Sequence, residues 1–394
     1  MRVLMYSSGM GGACSSLSIA SHLSDAFPGT SFLVLTDLPV FGRFKLPRNL
    51  DYVHIPRVAA GIPAAEEPTS RLDSNAAVLE IRRNVISAAV ESYAPHFVIV
   101  DRQPLGIECE LYEPLTELRR RDSRVRIVAG LQDVVGDPAL VRAAWAHQGG
   151  GASIDEVFDE VFDEVWLYGA RQVFGSEFDP SADFPNVVYM GYLRHEFALK
   201  EARSKLVNEG VSLERPLVLV TVGGGREGYR LVDHFFSYLE SRDIEPDFET
   251  HVVCGPLMST AEKKALDARA ARLAGVSIDR FHKDLTPYVR SASVVVSTFG
   301  YNTACQILSF RKRAVVVPRM QPNRDELLRA RAFDAHGLVE MIHPDALVPA
   351  LLGEKVLDAL NGGGRSVNTN GYHVAPLDGL ENIAKRIIEH APVN

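Results

Sequence analysis

Val294-Val295-Val296-Ser297-Thr298-Phe299-Gly300-Tyr301-Asn302-Thr303 decides the fold of this chain. A short, wholly apolar run reads as a strand buried on both faces. It gives way to a small-residue turn and then to a helix. Upstream, Leu217-Val218-Leu219-Val220-Thr221-Val222-Gly223-Gly224-Gly225 follows the same plan. A helix N-terminus leaves amide N–H groups unpaired and carries partial positive charge, so it receives anions. Two such turns in one half of a chain point to a shared diphosphate.

Outward from these turns, short apolar runs alternate with helix-period segments. Residues 3–6, 32–36, 97–100, 125–129, 165–168 and 187–190 read as buried parallel strands, with helices over 17–26 and 75–93. The second half repeats the pattern with strands over 217–222, 250–254, 294–297 and 314–318 and a helix over 325–336 closed by Gly337. This is the α/β doubly wound pattern. A charged helix over 194–209 and a turn over 210–216 separate the halves, which places the boundary near residue 197. A short amphipathic helix covers 380–390. The stretches AAGIPAAEEP (59–68) and NGGGRSVNTN (361–370) read as flexible loops.

A chain of 394 residues exceeds one ordinary core, and two domains of about 180–200 residues are expected. A hydrophobic content of 46% excludes wholesale disorder, and a net charge of −8 argues against nucleic acid as the main partner. Cys14, Cys109, Cys254 and Cys305 form no CxxC pair, so no zinc knuckle or redox motif is expected. The chain starts directly on a strand, with no basic stretch leading into an apolar one and no apolar run near about 18 residues. A cytoplasmic protein with reduced thiols and no strong membrane anchor is expected.

The first strand ends in Ser8-Gly9-Met10-Gly11-Gly12-Ala13-Cys14. A dinucleotide fingerprint needs a third glycine where Cys14 stands, so NAD or FAD is disfavoured, although Asp37 mimics the ribose-binding acid. A tight turn built of small residues is the plain alternative. The favoured reading is a loop at which a phosphate approaches the backbone at Gly11 and Gly12.

The order and spacing of these motifs resemble the GT-B glycosyltransferases, and among them the MurG-like group that uses UDP-sugars. The resemblance covers nearly the whole chain. It rests on residues 8–12, Val100-Asp101-Arg102-Gln103-Pro104, Leu131-Gln132-Asp133, 165–169 and 190–193, then 222–225, 297–306 and 318–326. It implies two Rossmann-like domains facing an interdomain cleft. Residues 1–197, joined by a returning helix within 378–394, would take the acceptor, and 198–377 would hold the donor.

The resemblance implies roles residue by residue. The amides of Gly223, Gly224 and Gly225 meet the diphosphate, and Arg226 offsets the charge of departing UDP. Gly300, Asn302 and Thr303 open a helix toward phosphate, although Asn302 or Thr303 is equally a plausible N-cap. Gln306 stands where related enzymes carry a ribose-binding carboxylate, and an amide accepts less strongly. Phe281 and His282 border the base. Asp325 and Glu326 accept from sugar hydroxyls, or simply favour the helix dipole, and Arg324 is a second phosphate candidate. Many relatives carry a basic histidine in the first loop, where this chain has Gly12-Ala13. Asp101, and second Asp133, are the remaining candidates for the catalytic base, with a cap role as the alternative.

The acidic stretch over 155–164 reads as a solvated helix face, and the resemblance requires no metal. The expected function is inverting, metal-independent transfer of a sugar, first GlcNAc or another hexose, from a UDP-sugar. The acceptor class (small molecule, lipid-linked or saccharide) is open, as is a homodimer. The rivals are a UDP-sugar epimerase or hydrolase of the same fold and a non-catalytic sugar-nucleotide-binding protein.

Overall fold

Strands buried on both faces need parallel neighbours and a helix layer on each side. The computed structural model, which describes residues 1–58, 75–134, 154–175, 184, 186–242, 246–320, 324–362 and 373–390, contains two sheets of this kind. The first holds β1 (Arg2–Ser7), β2 (Ser31–Thr36), β3 (Leu50–His54), β4 (Phe97–Asp101), β5 (Arg126–Gln132), β6 (Glu164–Tyr168) and β7 (Val187–Tyr189). Their order is β3-β2-β1-β4-β5-β6-β7, with parallel pairing throughout. The second holds β8 (Leu217–Thr221), β9 (Glu249–Val253), β10 (Val276–Asp279), β11 (Val294–Ser297), β12 (Arg313–Val316) and β13 (Glu340–Met341). Their order, β10-β9-β8-β11-β12-β13, repeats the first six positions of the other sheet.

Each sheet therefore reverses its winding once, between β1 and β4 and between β8 and β11. In open α/β sheets the ligand crevice lies beyond the carboxyl ends of the strands at such a switch point. Ser7 of β1 lies opposite Asp101 of β4, and Thr221 of β8 lies opposite Ser297 of β11. Both turns from which the sequence was read thus leave strands at a switch point.

The chain divides into a unit of Met1–Leu193 with Asp378–Asn394 and a unit of Arg194–Leu377. Each has its own apolar core on its sheet. In the second unit the helix Tyr229–Glu240 buries Leu231, Val232, Phe235, Phe236 and Leu239 on one face. Each such side chain contributes about 1.5–3 kcal/mol of transfer free energy. The helix Gly379–His390 returns to the first unit. Its Gly379 N–H donates to Tyr192 O at 3.1 Å, and Asn382 Nδ2 donates to Met190 O at 2.8 Å. A Cβ on Gly379 would stand 2.6 Å from Gly191 O, so no larger residue fits there without a shift.

Several local expectations change. β3, β10 and β13 have no all-apolar run to announce them, because β3 and β10 are the outermost strands on their side and β13 has only two residues. The charged helix shortens to Leu199–Asn208. The acidic stretch is not one solvated helix face. Its helix ends at Val161, Asp163 pairs with Arg119 and Arg126, and Glu164 opens β6 and pairs with Arg386. The loop over 59–68 and all but the start of 361–370 lie outside the described residues. Among the described residues no helix is long and apolar enough to cross a membrane.

Candidate functional site

At the first switch point β1 runs into the helix Gly9–Ala26. This helix begins eight residues before its expected start, so Gly11 and Gly12 sit in its first turn rather than in an open loop. Asp37 takes no ribose-like posture. Its Oδ1 accepts from Gly9 N–H at 2.8 Å and its Oδ2 from Ser8 Oγ at 3.3 Å, which satisfies the helix start. A Cβ on Gly12 would approach Asp101 Oδ2 to 3.4 Å, and one on Gly11 would meet Arg102 Nη1 at 2.7 Å. The two glycines thus let the end of β4 come close to the helix.

Asp101 closes β4 and is 1% exposed, and among the described residues no side chain bonds either carboxyl oxygen. Burial pushes its pKa well above the usual carboxylate range, and the neighbouring Arg102 charge only partly opposes this. Gln132 Nε2 and Tyr168 Oη, on the neighbouring β5 and β6, are likewise buried without partners. Burial, and then the charge of Asp101, raise the Tyr168 hydroxyl as well. Asp133, just past β5, is fully buried against Gly169. The strands thus gather Asp101, Gln132 and Tyr168 as protein groups able to exchange hydrogen bonds with a ligand.

At the second switch point the three-glycine turn leaves β8. Gly223 has φ +58° and open space where a side chain would project. Gly225, at φ +91°, is needed for packing, because a Cβ there would overlap the carbonyl oxygen of Cys254. The turn is not itself a helix N-terminus. The helix starts at Tyr229 with Gly228 as its N-cap, so Gly223 and Gly224 offer turn amides, whereas Gly225 N–H donates to Val222 O at 3.1 Å, and Arg226 is exposed beside them.

Beyond β11, Phe299 N–H donates to Ser297 Oγ at 3.1 Å, and Phe299 adopts φ +64°. A left-handed phenylalanine costs on the order of 1–3 kcal/mol and persists only when its surroundings enforce it. Here its ring packs edge-on against Phe333 at 5.3 Å, and buried Arg329 donates to its carbonyl at 3.3 Å. Gly300 then caps the helix Tyr301–Ser309 without a side chain of its own.

Glu326 lies beside this cap, with Oε1 3.4 Å from where a Gly300 Cβ would stand. Both its oxygens are engaged by Arg319. Oε2 accepts from the backbone N–H at 3.1 Å and from Nε at 2.9 Å, and Oε1 pairs with Nη2. The Glu326 bonds raise Arg319 above its ordinary value, and the charges of Glu227 and Asp325 add to them. Gly300 and Glu326 thus meet beside Arg319, and the Gly223–Arg226 turn leaves β8, the strand paired with β11. Arg324 is exposed at the N-cap of the helix Asp325–Ala335. Thr303 and Gln306 are buried one and two turns into their helix, and Gln306 Nε2 donates to Thr286 Oγ1 at 3.2 Å. Phe281 is half-buried, and His282 faces His251 and Asp279 instead of standing alone. Arg319 and Arg329 were missed as functional residues. Arg319 stood in the quoted 318–326 stretch, but only its pairing with Glu326 reveals its place.

A glycine-turned strand and a glycine-capped helix at one switch point are the elements with which open α/β folds receive phosphorylated ligands. Residues 217–374 match the glycosyltransferase family 28 C-terminal domain. No curated protein matches the sequence. Among solved structures the chain is similar to a glycotransferase of kitacinnamycin, at 15% identity and TM-score 0.64, covering 99% of each chain. It is similar to Acinetobacter baumannii MurG at 14% identity and TM-score 0.59, covering 99% of this chain and 100% of the other. It is also similar to the UDP-GlcNAc 2-epimerase from Neisseria meningitidis, bound to UDP-GlcNAc, at 13% identity and TM-score 0.57, covering 99% of each chain. At these identities the likeness is one of fold. Together with the family 28 match over 217–374, it gives this chain the fold of the GT-B glycosyltransferases, MurG among them.

Proposed function

We propose that the chain is a cytoplasmic, inverting, metal-independent transferase that moves a hexose, first GlcNAc, from a UDP-sugar to an acceptor hydroxyl. The observation that supports this reading is that the glycine turn and the Gly300 cap leave paired strands at the β8/β11 switch point, with Glu326 beside the cap, all within the family 28 match. Turn amides and the Gly300 cap hold the diphosphate and stabilise the charge that develops on UDP as it leaves. Gln306 meets the ribose, and Asp325 and Glu326 meet the sugar hydroxyls. Asp101, with Asp133 second, accepts the proton of the attacking hydroxyl. A raised pKa makes Asp101 a stronger proton acceptor once it is ionised. Attack at the anomeric carbon breaks the bond to the diphosphate oxygen in a single displacement.

A thermal-shift series with nucleoside diphosphates and UDP-sugars tests the donor. UDP should raise the melting temperature, and no shift with any uridine nucleotide overturns the reading. The fold is also that of a UDP-GlcNAc 2-epimerase, which supports a second reading. Incubation with UDP-GlcNAc and no acceptor separates the two, because rapid epimer formation rejects transfer as the main activity.

A further inference from the structure

The second sheet gathers three potential metal ligands that the proposed transfer does not use. His251 lies in β9, Asp279 ends β10, and His282 follows three residues later. His251 Nε2 and His282 Nε2 are 3.1 Å apart. Asp279 Oδ2 lies 3.2 Å from His282 Nε2 and 3.6 Å from His251 Nε2. Tetrahedral ligands at about 2.0–2.2 Å from zinc stand roughly 3.3–3.6 Å from one another. The three measured edges bracket that spacing.

The donor chemistry agrees. Two imidazoles and one carboxylate suit a late first-row divalent ion and not calcium or magnesium, which prefer oxygen ligands. His251 Nδ1 is 2.8 Å from Ser277 Oγ, and that hydroxyl donates to Thr250 O at 3.3 Å. Ser277 therefore accepts from Nδ1–H, and the lone pair of His251 is left on Nε2, facing His282. An outer partner that fixes the tautomer in this way is the usual companion of a metal-bound histidine. The Tyr288 ring lies against both imidazoles, with centroids 4.9 Å from His251 and 4.1 Å from His282. The Asp279 side chain is 52% exposed and leaves a way in from solvent.

We propose that His251, His282 and Asp279 bind a zinc-class divalent ion with a fourth position open to water. The ion ties β9 and β10 to the turn that leads into the helix Thr286–Ser291. It does not enter the transfer step.

Zinc binding to the untagged, EDTA-stripped chain, measured by competition with a chromophoric chelator, tests this without any nucleotide. A single ion per chain should bind with Kd near about 1 µM or tighter, and cobalt should give the visible bands of a tetrahedral site. Saturating zinc should raise the melting temperature by about 5 °C or more. Asp279→Ala and His282→Ala should each weaken binding at least about 100-fold, and Ser277→Ala about 10-fold. Asp279 is exposed enough that its variant decides the case if His282→Ala fails to fold. No binding tighter than that of the Asp279→Ala chain, or binding that survives both substitutions, overturns the proposal and leaves a proton-bridged histidine pair. UDP binding and the zinc titration are separate readouts, so either reading can fail alone.

Discussion

The two switch points treat their buried polar groups in opposite ways. At β1/β4 the Asp101 carboxyl, Gln132 Nε2 and Tyr168 Oη have no side-chain partner among the described residues. At β8/β11 the Glu326 carboxylate is held by Arg319 and the Gln306 amide by Thr286. A buried polar group without a partner costs about 1–3 kcal/mol, whereas a paired one is held in a fixed geometry. The first arrangement suits a group that must change its proton, and the second a rigid receptor for a charged ligand.

Removing the acid is the most forceful way to break this contrast. Asp101→Asn should lower kcat by about 10²–10⁴-fold while the melting temperature holds or rises, because no partner is lost. Steady-state kinetics with thermal denaturation checks both, and a fall in stability with intact turnover would make Asp101 structural. The pH dependence follows. The folded pKa is raised, so the native chain keeps a proton that the unfolded chain releases above about 4. That stabilising contribution is complete below the unfolded value and is lost as pH climbs toward the raised one. Stability measured from pH 4 upward should therefore improve for Asp101→Asn relative to wild type.

The rigid side should break through its backbone. Gly225→Ala places a Cβ on the Cys254 carbonyl at φ +91° and should cost about 2–4 kcal/mol, read as a lower denaturant midpoint. Glu326→Gln should cost about 1–3 kcal/mol and raise the KM for the donor, since Arg319 keeps only part of its bonding. Unchanged donor KM would remove Glu326 from the receptor. Gln306→Glu has the smallest effect, a donor KM lower by about threefold, because a carboxylate accepts more strongly from a diol. A rise instead would show that Thr286, and not the ligand, is its important partner.

The central strands were legible because β1, β4, β8 and β11 are all but wholly buried and therefore almost wholly apolar. β3 was not, because an outermost strand mixes polar residues with apolar ones. The two glycine turns marked the second switch point, yet Gly223–Arg226 was read as a helix start when the helix begins at Tyr229. Asp101 could be nominated from its place at a strand end. Its lack of partners depends on β5 and β6 arriving beside it, which no local pattern encodes. The Arg319–Glu326 pair and the His251–His282 pair likewise join residues whose spacing along the chain follows no motif.

The helix Gly379–His390 has a consequence for the birth of the protein. The unit it completes is interrupted in sequence by the whole of Arg194–Leu377. On a ribosome adding about 5–20 residues per second, the insert alone holds that helix back by on the order of 10–40 s. Until it emerges, the surface that will receive Leu380, Ile383 and Ile387 stays uncovered. The inserted unit, made without interruption, is free to finish first, so a segment made after the insert closes a unit begun before it.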